Sequence, residues 1–406
     1  MIVLTGATGF IGSQLVRQLG AGHDLLLVSR DAAAAQSRFP GIPVCDYEAL
    51  PAHDLTGAVF IHLAVRNNDR PGTIEEFRAS NVDGLLDVAA VARRGGAASF
   101  INLCSTHALA PKAGDFYGLS KQEGARALAQ FWPDGATNLY IPAVYGNDFQ
   151  GRLAFLGRLP GALHPAVLGF LRQIKPMISI DHLRGVLLEL AARRDVSDDP
   201  WRTEQYAADP VGNVGLFAAV KRMIDLMAVV AVIALLGWIM VLVAVYIRLD
   251  SKGPVIFAQR RVGRGGVVFT CYKFRTMAVG TAHAATHNVS AAAVTKAGQF
   301  LRRTKLDELP QIINVLMNEM SLVGPRPCLP LQTELVDFRR ARHVLQLKPG
   351  ITGLAQIGDI DMSDPARLAA WDDRYRAFRT LLGDVGILIR TALGGGSGDR
   401  VTPSSR

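Results

Sequence analysis

The order of apolar and polar positions gives the two halves of the chain different patterns. Over the first 190 residues, short β-branched runs alternate with stretches of helical periodicity. Such alternation is typical of βαβ units that build a parallel sheet. The first half therefore predicts an α/β fold with a doubly wound parallel sheet. The predicted strands are residues 1–5, 25–29, 59–63, 99–104 and 137–141, and the predicted helices lie around residues 12–19, 77–93 and 118–131.

The second half begins with a change of composition. Asp, Pro and Gly accumulate after the last helical pattern and indicate a linker, which a long apolar run follows. Two short runs around Gly263–Gly266 predict a β-hairpin over residues 254–277, and mainly helical patterns come after it. The predicted division is a domain at 1–194, a linker at 195–220, a second domain at 221–393 with an apolar segment at 223–247, and a disordered tail at 394–406.

Charge is divided as unevenly as hydrophobicity. The chain carries a formal net charge of +9, but residues 1–210 sum to −2 and the remainder to +11. Basic residues beside an apolar segment fit an anionic membrane surface or a phosphate-bearing substrate. The sequence has no nucleic-acid-binding signature, so we expect no nucleic-acid partner. The four cysteines lack CxxC spacing, which indicates buried thiols of a reducing compartment.

A glycine-rich turn follows the first predicted strand, where Gly6, Gly9 and Gly12 are spaced three apart. Between a strand and a helix, such glycines let the backbone turn tightly and approach a pyrophosphate at the helix N-terminus. A plain glycine turn is the alternative, and the βαβ context argues against it. Arg30 ends the second strand, where an acid would bind a ribose 2′-hydroxyl. The sequence therefore favours NADP(H) over NAD(H), with a solvated surface arginine as the alternative.

Ser105, Tyr117 and Lys121 form a candidate acid–base group. Tyr117 and Lys121 are one helical turn apart and share a face. An ammonium beside the phenol would lower the pKa of Tyr117 and make it a usable acid or base near neutral pH. Ser105, at the end of a strand, could orient a substrate hydroxyl or carbonyl. A Tyr-x-x-x-Lys pair alone is more often a plain helix face, but the upstream glycine motif favours the catalytic interpretation.

With these motifs, residues 1–190 resemble the nucleotide-sugar epimerase, dehydratase and 4-keto-reductase branch of the extended short-chain dehydrogenase/reductase superfamily. The resemblance implies a Rossmann-like fold, with Asp46 at the adenine and with Ala64 and Lys121 at the cofactor. Two features depart from the family. Only 11 residues separate the serine from the tyrosine, and Ile141 replaces an arginine. The shortened substrate region leaves two alternatives, an active reductase or epimerase and a domain that only binds a nucleotide and regulates its neighbour.

The apolar segment contains 22 residues without a charge, 226–247, enough for a straight helix to cross a bilayer. Basic groups that include Lys221 and Lys252 flank both of its ends. Positive charge favours the cytoplasmic side, so both ends should stay there. We therefore expect a re-entrant helix, bent near Gly237-Trp238, that leaves both domains on the cytoplasmic face of a bacterial inner membrane.

Charged motifs crowd together after the apolar segment, around the adjacent carboxylates of Asp307 and Glu308. A carboxylate pair among cations fits Mg²⁺-assisted phosphoryl chemistry, in which one carboxylate attacks phosphorus. Alone, the pair would be a solvated helix start. The surrounding strings favour the chemical interpretation; they are Lys273-Phe274-Arg275-Thr276-Met277, Arg302-Arg303-Thr304-Lys305-Leu306, Ser321-Leu322-Val323-Gly324-Pro325-Arg326-Pro327 and Lys348-Pro349-Gly350-Ile351-Thr352-Gly353.

These strings make residues 221–393 closely similar to the bacterial sugar transferase family, monotopic phosphoglycosyl transferases that act on polyprenol phosphate. The resemblance implies that Asp307 attacks the sugar-bearing phosphate of a UDP-sugar, releases UMP, and passes the phospho-sugar to undecaprenyl phosphate. Gly237-Trp238 replaces the helix-breaking Ser-Pro of the family, and Lys305 replaces a serine. The implied phosphate-binding residues are Arg302, Arg326, Lys273 and Arg275, and the implied Mg²⁺ ligands are Glu308 and Asp307.

Together the halves predict a fusion in which the first domain finishes a UDP-sugar and the second transfers it at the start of exopolysaccharide, O-antigen or glycoconjugate synthesis. Tethering would raise the local concentration of the shared substrate. A membrane-anchored dehydrogenase with an inert second half is a further alternative. It is opposed by the joint presence of Arg302, Asp307, Glu308 and Arg326. The sequence leaves open a homodimer and does not name the sugar.

Overall fold

The boundary between the halves falls after Pro210, which separates the units Met1–Pro210 and Val211–Arg406. The computed structural model describes residues 1–20, 22–69, 71–146, 156–192, 201–212, 215–279 and 294–396. Most of the predicted tail, 397–406, lies outside the described residues. We call Met1–Pro210 unit 1 and Val211–Arg406 unit 2.

Unit 1 is built on a parallel sheet, which confirms the predicted α/β class. Its strands are β1 (Ile2–Thr5), β2 (Leu25–Val28), β3 (Val44–Cys45), β4 (Val59–His62), β5 (Ser99–Ser105), β6 (Ala136–Ile141), β7 (Ala143–Tyr145), β8 (Met177–Ser179) and β9 (Glu204–Tyr206). Seven of them form one sheet in the order β3-β2-β1-β4-β5-β6-β9, while β7 and β8 pair separately. Strand β1 is buried throughout, as expected for a central strand of a parallel sheet that is covered on both faces.

Helices cover both faces of this sheet. The helices of unit 1 are α1 (Phe10–Leu19), α2 (Ala32–Arg38), α3 (Ile74–Arg78), α4 (Gly84–Arg94), α5 (Phe116–Phe131), α6 (His164–Ile174) and α7 (Ile180–Ala192). Leu15 of α1 and Leu183 of α7 belong to one core cluster. Val88 of α4 and Leu128 of α5 belong to the other. The sheet is therefore doubly wound, as predicted.

The predicted linker, 195–220, needs correction. Within it, β9 pairs in parallel with β6 and completes the sheet of unit 1. The last residues of the same range already belong to a helix that begins at Leu216. Sequence patterns missed β9 because a three-residue strand among polar and Pro residues lacks a readable alternation.

Unit 2 contains a hairpin and short helices around a second core. Its elements are α8 (Leu216–Asp250), β10 (Ile256–Val262), β11 (Val268–Phe274), α9 (Lys296–Thr304), α10 (Ile312–Leu316), β12 (Ser321–Val323), α11 (Thr333–Ala341), β13 (Gly350–Thr352), α12 (Leu354–Ile357), α13 (Pro365–Phe378) and α14 (Leu381–Ala392). The predicted hairpin is confirmed, since β10 and β11 are antiparallel. Its turn requires glycine because Gly265 and Gly266 have φ of 70° and 80°.

Helix α8 is long and apolar enough to cross a membrane, judged by length and composition. It runs for 35 residues without interruption. The expected bend at Gly237-Trp238 is therefore wrong for this structure. Glycine weakens a helix but keeps its N–H donor, so the backbone hydrogen bonds continue through this position.

Both ends of α8 are anchored to the same unit. Near its start, the Asp225 carboxylate accepts hydrogen bonds from the Ser321 hydroxyl at 3.1 Å and from the Leu322 N–H at 3.0 Å. At its end, the Asp250 carboxylate accepts the Ala297 N–H at 3.2 Å. One side of the helix thus lies along unit 2, while its other side exposes large apolar residues such as Trp238.

Candidate functional site

The glycine-rich turn lies between β1 and α1, at the carboxyl edge of the sheet. Gly6 has a φ of +71°, and a Cβ there would lie 2.7 Å from the backbone nitrogen of Ala64. A Cβ on Gly12 would lie 2.2 Å from the Gly6 carbonyl oxygen, so α1 packs directly on the turn. Gly9 begins α1 without a side-chain cap. Uncapped N–H groups at a closely approached turn suit a pyrophosphate, so these residues fit a dinucleotide cofactor.

The other predicted cofactor residues lie at the same edge. Arg30 follows β2 and is exposed, Asp46 directly follows β3, and Ala64 follows β4. The Asp46 carboxylate accepts the Ala49 N–H at 2.7 Å and so stabilises the turn after β3. The structure therefore brings the predicted residues to one edge of the sheet, where parallel sheets bind their ligands.

Arg38 is a residue that the sequence analysis missed. At the end of α2, its guanidinium donates a hydrogen bond to the Thr8 carbonyl at 2.7 Å and so reaches the glycine-rich turn. Two cations, Arg30 and Arg38, thus follow β2. The position of Arg38 in the helix after β2 was the only available signal, since a lone exposed arginine looks like any surface residue.

Ser105 ends β5, and Tyr117 and Lys121 lie on α5. Burial raises the pKa of Tyr117 to about 12, and the Ser105 hydroxyl offsets only part of this. Lys121 is buried and donates a hydrogen bond to the Leu103 carbonyl at 2.8 Å. The predicted lowering of the Tyr117 pKa by Lys121 is therefore wrong, because a backbone carbonyl engages the ammonium. A phenol with this pKa stays protonated at neutral pH and is suited to act as an acid.

In unit 2, Asp307 and Glu308 lie on a 3₁₀ turn, Leu306–Gln311. Lys305 precedes the turn in the left-handed region, with a φ of 58°, and this reverses the chain after α9. Leu306 and Leu309, on either side of the carboxylates, pack into the core that α8 and α9 form. Leu306 and Leu309 therefore anchor the turn to the core, and the two carboxylates lie between them in sequence.

The two carboxylates lie in opposite electrostatic environments. Lys273 Nζ approaches Glu308 Oε1 to 2.8 Å, and Arg326 Nη2 approaches the same oxygen to 3.0 Å. Burial alone would raise the pKa of Glu308, but these two cations outweigh it and lower that pKa to about 2. Burial, followed by the negative charge of Glu308, raises the pKa of Asp307 to about 6. Glu308 is thus a permanent anion, and Asp307 is an acid that titrates just below neutral pH.

The guanidinium groups of Arg302 and Arg275 have different hydrogen-bond partners. Arg302 Nε donates to the Thr276 hydroxyl at 3.1 Å, while its buried Nη1 has no hydrogen-bond partner among the described residues. An unpartnered buried donor is costly, and a phosphate oxygen would satisfy it. Arg275 instead donates to the carbonyls of Lys252 and Ser251 at 2.6 and 2.8 Å. These donors hold the end of β11 to the segment after α8, while the buried Nε has no hydrogen-bond partner among the described residues. The phosphate-binding role of Arg275 stays a prediction.

The loop that carries Arg326 is fixed by close backbone contacts. A Cβ on Gly324 would lie 2.5 Å from the Lys348 carbonyl, and one on Gly353 would lie 2.2 Å from the Gly324 carbonyl. These contacts explain the glycines of both motifs. The Arg326 carbonyl also accepts a hydrogen bond from Arg339 at 2.9 Å. Arg339 forms a buried ion pair with Asp372, a positioning pair that the sequence analysis missed because no motif marks it.

No three His, Cys, Asp or Glu side chains converge in the described part of the chain, so the protein offers no complete cation site there. Mg²⁺ commonly uses one or two carboxylates together with substrate phosphates and water. Asp307 and Glu308 fit that incomplete type of site. They would hold Mg²⁺ only together with phosphate oxygens of a bound substrate.

Comparison with known families matches both units. Residues 216–395 match the bacterial sugar transferase family, and residues 2–156 match the NAD dependent epimerase/dehydratase family. Among solved structures, the Bordetella bronchiseptica enzyme WbmG, in complex with NAD and UDP, aligns with 47% of this chain and 68% of its own, at 18% identity and a TM-score of 0.36. At that TM-score the alignment adds nothing to the fold described above.

Several curated proteins resemble the second half. A UDP-glucose:undecaprenyl-phosphate glucose-1-phosphate transferase of Xanthomonas campestris pv. campestris is 37% identical over 47% of this chain and 43% of its own. A protein of the same name from Escherichia coli K12 is 42% identical over 35% and 32%. The exopolysaccharide production protein ExoY of Sinorhizobium fredii is 33% identical over 46% of this chain and 88% of its own. The chain thus matches less than half the length of the first two relatives and most of the third.

Proposed function

Because the chain belongs to the bacterial sugar transferase family through residues 216–395, we propose that it transfers a phospho-sugar from a UDP-sugar to undecaprenyl phosphate. Its residues 2–156 belong to the NAD dependent epimerase/dehydratase family. The observation that carries this proposal is the difference in electrostatic environment between the two adjacent carboxylates. Glu308 forms ion pairs with two cations, whereas Asp307 beside it has a pKa of about 6. The product would begin exopolysaccharide, O-antigen or glycoconjugate synthesis.

The reaction would proceed in two displacements at one phosphorus. Asp307 attacks the phosphate that carries the sugar, the bond to the UMP oxygen breaks, and UMP leaves with that electron pair. An oxygen of undecaprenyl phosphate then attacks the same phosphorus, and the Asp307 carboxylate is released. Arg326 and the unpartnered Nη1 of Arg302 would neutralise phosphate oxygens in both steps. Bound Mg²⁺ would add positive charge at the diphosphate.

An isolated UMP-release reaction tests this assignment. Membranes that contain the protein are incubated with UDP-glucose, UDP-galactose or UDP-N-acetylgalactosamine, with and without undecaprenyl phosphate. We expect Asp307→Asn to abolish UMP release and covalent labelling, because an amide is a poor nucleophile toward phosphorus. Asp337→Asn, at an exposed ion pair on α11, is the matched control and should keep native activity. Near-native turnover by Asp307→Asn would rule out the covalent mechanism.

For unit 1 we propose an NADP(H)-dependent reductase or epimerase that finishes the UDP-sugar. The glycine cradle at Gly6 and Gly12 supports the dinucleotide, and Arg30 with Arg38 supports a 2′-phosphate. A bound nicotinamide would supply or accept the hydride. The protonated Tyr117 would exchange a proton with the substrate oxygen. A unit that binds the nucleotide but does not turn over remains the alternative, which a NADPH-oxidation assay with keto-sugar nucleotides distinguishes.

We further propose that α8 attaches unit 2 to the cytoplasmic face of the inner membrane without crossing it. Asp225 and Asp250 stand 25 positions apart, so a straight helix separates them by about 38 Å. A crossing helix would place them on opposite sides of the bilayer, yet both bind the same compact unit. The outward face of α8 and the exposed apolar residues Leu382, Val385 and Ile389 on α14 would contact lipid.

Cysteine labelling tests this topology. All four native cysteines are buried, so they give little background. Single cysteines replace Leu216 and Lys252, which are exposed at the start of α8 and just after its end. A membrane-impermeant reagent added outside intact cells should label neither variant, while both should react after lysis. Labelling of either one in intact cells would establish a true span instead.

A further inference from the structure

A histidine–carboxylate pair lies beside Ser105 and Tyr117, and the function proposed above does not use it. His107 belongs to the short 3₁₀ helix that directly follows β5. Its Nδ1 lies 3.2 Å from Asp115 Oδ2. Its ring meets the Tyr117 ring edge-on, with 6.1 Å between the ring centroids. The pair therefore borders the phenol that would exchange a proton with the substrate.

Local structure fixes the position of both members of the pair. The Ser105 hydroxyl accepts the His107 backbone N–H at 3.2 Å. Asp115 begins α5 and accepts the Gly118 N–H at 2.9 Å. A Cβ on Gly118 would lie 2.6 Å from Asp115 Oδ2 and 3.1 Å from the His107 carbonyl, so glycine lets the two segments approach. The same residues that place Tyr117 thus also place His107.

Exposure separates the roles of the two side chains. The His107 side chain is 61% exposed, whereas that of Asp115 is 17% exposed. The Asp115 carboxylate engages Nδ1 and favours the tautomer with its proton there. The other ring nitrogen, Nε2, has no hydrogen-bond partner among the described residues. An oriented imidazole with a free basic nitrogen next to a phenol is suited to general acid–base chemistry.

We propose that His107, oriented by Asp115, removes and returns a proton on a carbon next to the keto group of a 4-keto-sugar nucleotide. This inference rests on the proposed function of unit 1 and deepens it by assigning a carbon acid–base step to a residue that the proposed function does not use. Nε2 takes the proton, the C–H electron pair forms a C=C bond, and the carbonyl π pair moves to the oxygen. The Tyr117 phenol protonates that oxygen to give an enol. Return of both protons restores the ketone, so no oxidant or reductant is needed.

The proposal explains why one site would hold two proton-exchanging side chains. Hydride transfer to a ketone requires one proton, which Tyr117 supplies to the oxygen. Enolisation requires a second group that acts on carbon, and His107 is an exposed candidate whose ring contacts the Tyr117 ring. Because the raised pKa of Tyr117 keeps the phenol protonated, it is ready to donate a proton to the developing enolate oxygen while a base acts on carbon.

Deuterium uptake tests the carbon acid–base step without hydride transfer. The full-length protein, in detergent, is incubated in D₂O with UDP-4-keto-6-deoxyglucose and its 2-acetamido analogue, without NADPH. Mass spectrometry then locates deuterium on the carbons next to the ketone, and the spontaneous rate is subtracted. We expect uptake with the native protein and a loss of about 10²-fold or more with His107→Gln, which keeps a donor for Asp115 but has no basic nitrogen. Added imidazole should restore uptake to His107→Gly.

Asp115 acts as a positioning residue, and Asp115→Asn tests this role. Asparagine remains a good helix cap, so α5 should persist. The variant should lower the maximum rate of deuterium uptake, because the imidazole loses its orientation. The KM for the keto-sugar should stay unchanged, because the substrate keeps its contacts. NADPH titration of each variant checks that unit 1 is folded.

The outcomes separate this inference from the proposed function. Native-like uptake by His107→Gln, or failure of imidazole to rescue His107→Gly, would overturn the role of His107. If the native protein oxidises NADPH with either keto-sugar but takes up no deuterium above the spontaneous rate, the inference fails and the reductase proposal stands. If it neither oxidises NADPH nor takes up deuterium, both fail.

Discussion

The ionisation of Asp307 should control the first half-reaction. In the proposed mechanism only the carboxylate form of Asp307 attacks phosphorus, and burial and the charge of Glu308 raise the pKa of Asp307 to about 6. Such a group is about 90% ionised at pH 7 and about 10% ionised at pH 5. We therefore expect the rate of UMP release in a single turnover to fall about tenfold across this interval. An ordinary aspartate would show no such loss, since it stays ionised above about pH 5.

Two substitutions should move the midpoint of this acid limb in opposite directions. Glu308→Gln removes the neighbouring anion that raises the pKa of Asp307, so the midpoint should move to lower pH. Lys273→Met removes a cation that lowers the same pKa, so the midpoint should move to higher pH. Both variants will also slow the reaction, because Lys273 and Glu308 lie in the site. The pH of the midpoint, and not the maximal rate, is therefore the quantity to compare between the variants.

The assay is rapid-quench release of labelled UMP from the UDP-sugar that the native protein uses, without a lipid acceptor. Each variant is measured between about pH 5 and pH 8, where the limb should lie. A native midpoint near the ordinary value for aspartate would refute the electrostatic reasoning. Midpoints of the two variants that shift in the same direction would refute it as well.

Two further predictions concern binding and stability. Arg30→Ala and Arg38→Ala should each reduce the preference for NADPH over NADH by about tenfold or more in fluorescence titration, since a charged hydrogen bond contributes about 1.5–3 kcal/mol. If the native protein binds NADH as tightly as NADPH, the cofactor prediction is wrong. Arg339→Met should lower the free energy of unfolding by about 3–5 kcal/mol in denaturant titration, because it leaves the buried Asp372 without its partner. Arg340→Met, at an exposed pair, is the control and should cost less than about 1 kcal/mol.

The fold of unit 1 could be predicted from sequence because its central strands and helices carry strong periodic patterns. All five predicted strands are present, and the glycine turn lies where the pattern placed it. The short strand β9 could not be predicted, since three residues cannot show a period. The pKa of Tyr117 was beyond sequence reasoning as well. Residue spacing places Lys121 on the same face, but only coordinates show that its ammonium is bound by the Leu103 carbonyl.

In unit 2, the motifs predicted the members of the site better than their contacts. Lys273, Arg326 and Glu308 do meet, although they come from three separate segments. Arg275 was included through the family resemblance, and the sequence could not show that its guanidinium contacts the carbonyls of Lys252 and Ser251. The buried pair that supports the Arg326 loop stands 33 positions apart in sequence, and no local pattern could have connected its members.

The packing of α8 has a practical consequence for work with soluble fragments. Val243 and Ile247 of this helix share one core cluster with Leu301, and the two leucines that flank Asp307 pack against it. Removing α8 to improve solubility would expose that cluster and take away the support of the turn that carries Asp307. The apolar helix is therefore part of the catalytic fold, and a fragment that begins after residue 250 should not be expected to retain the geometry of the site.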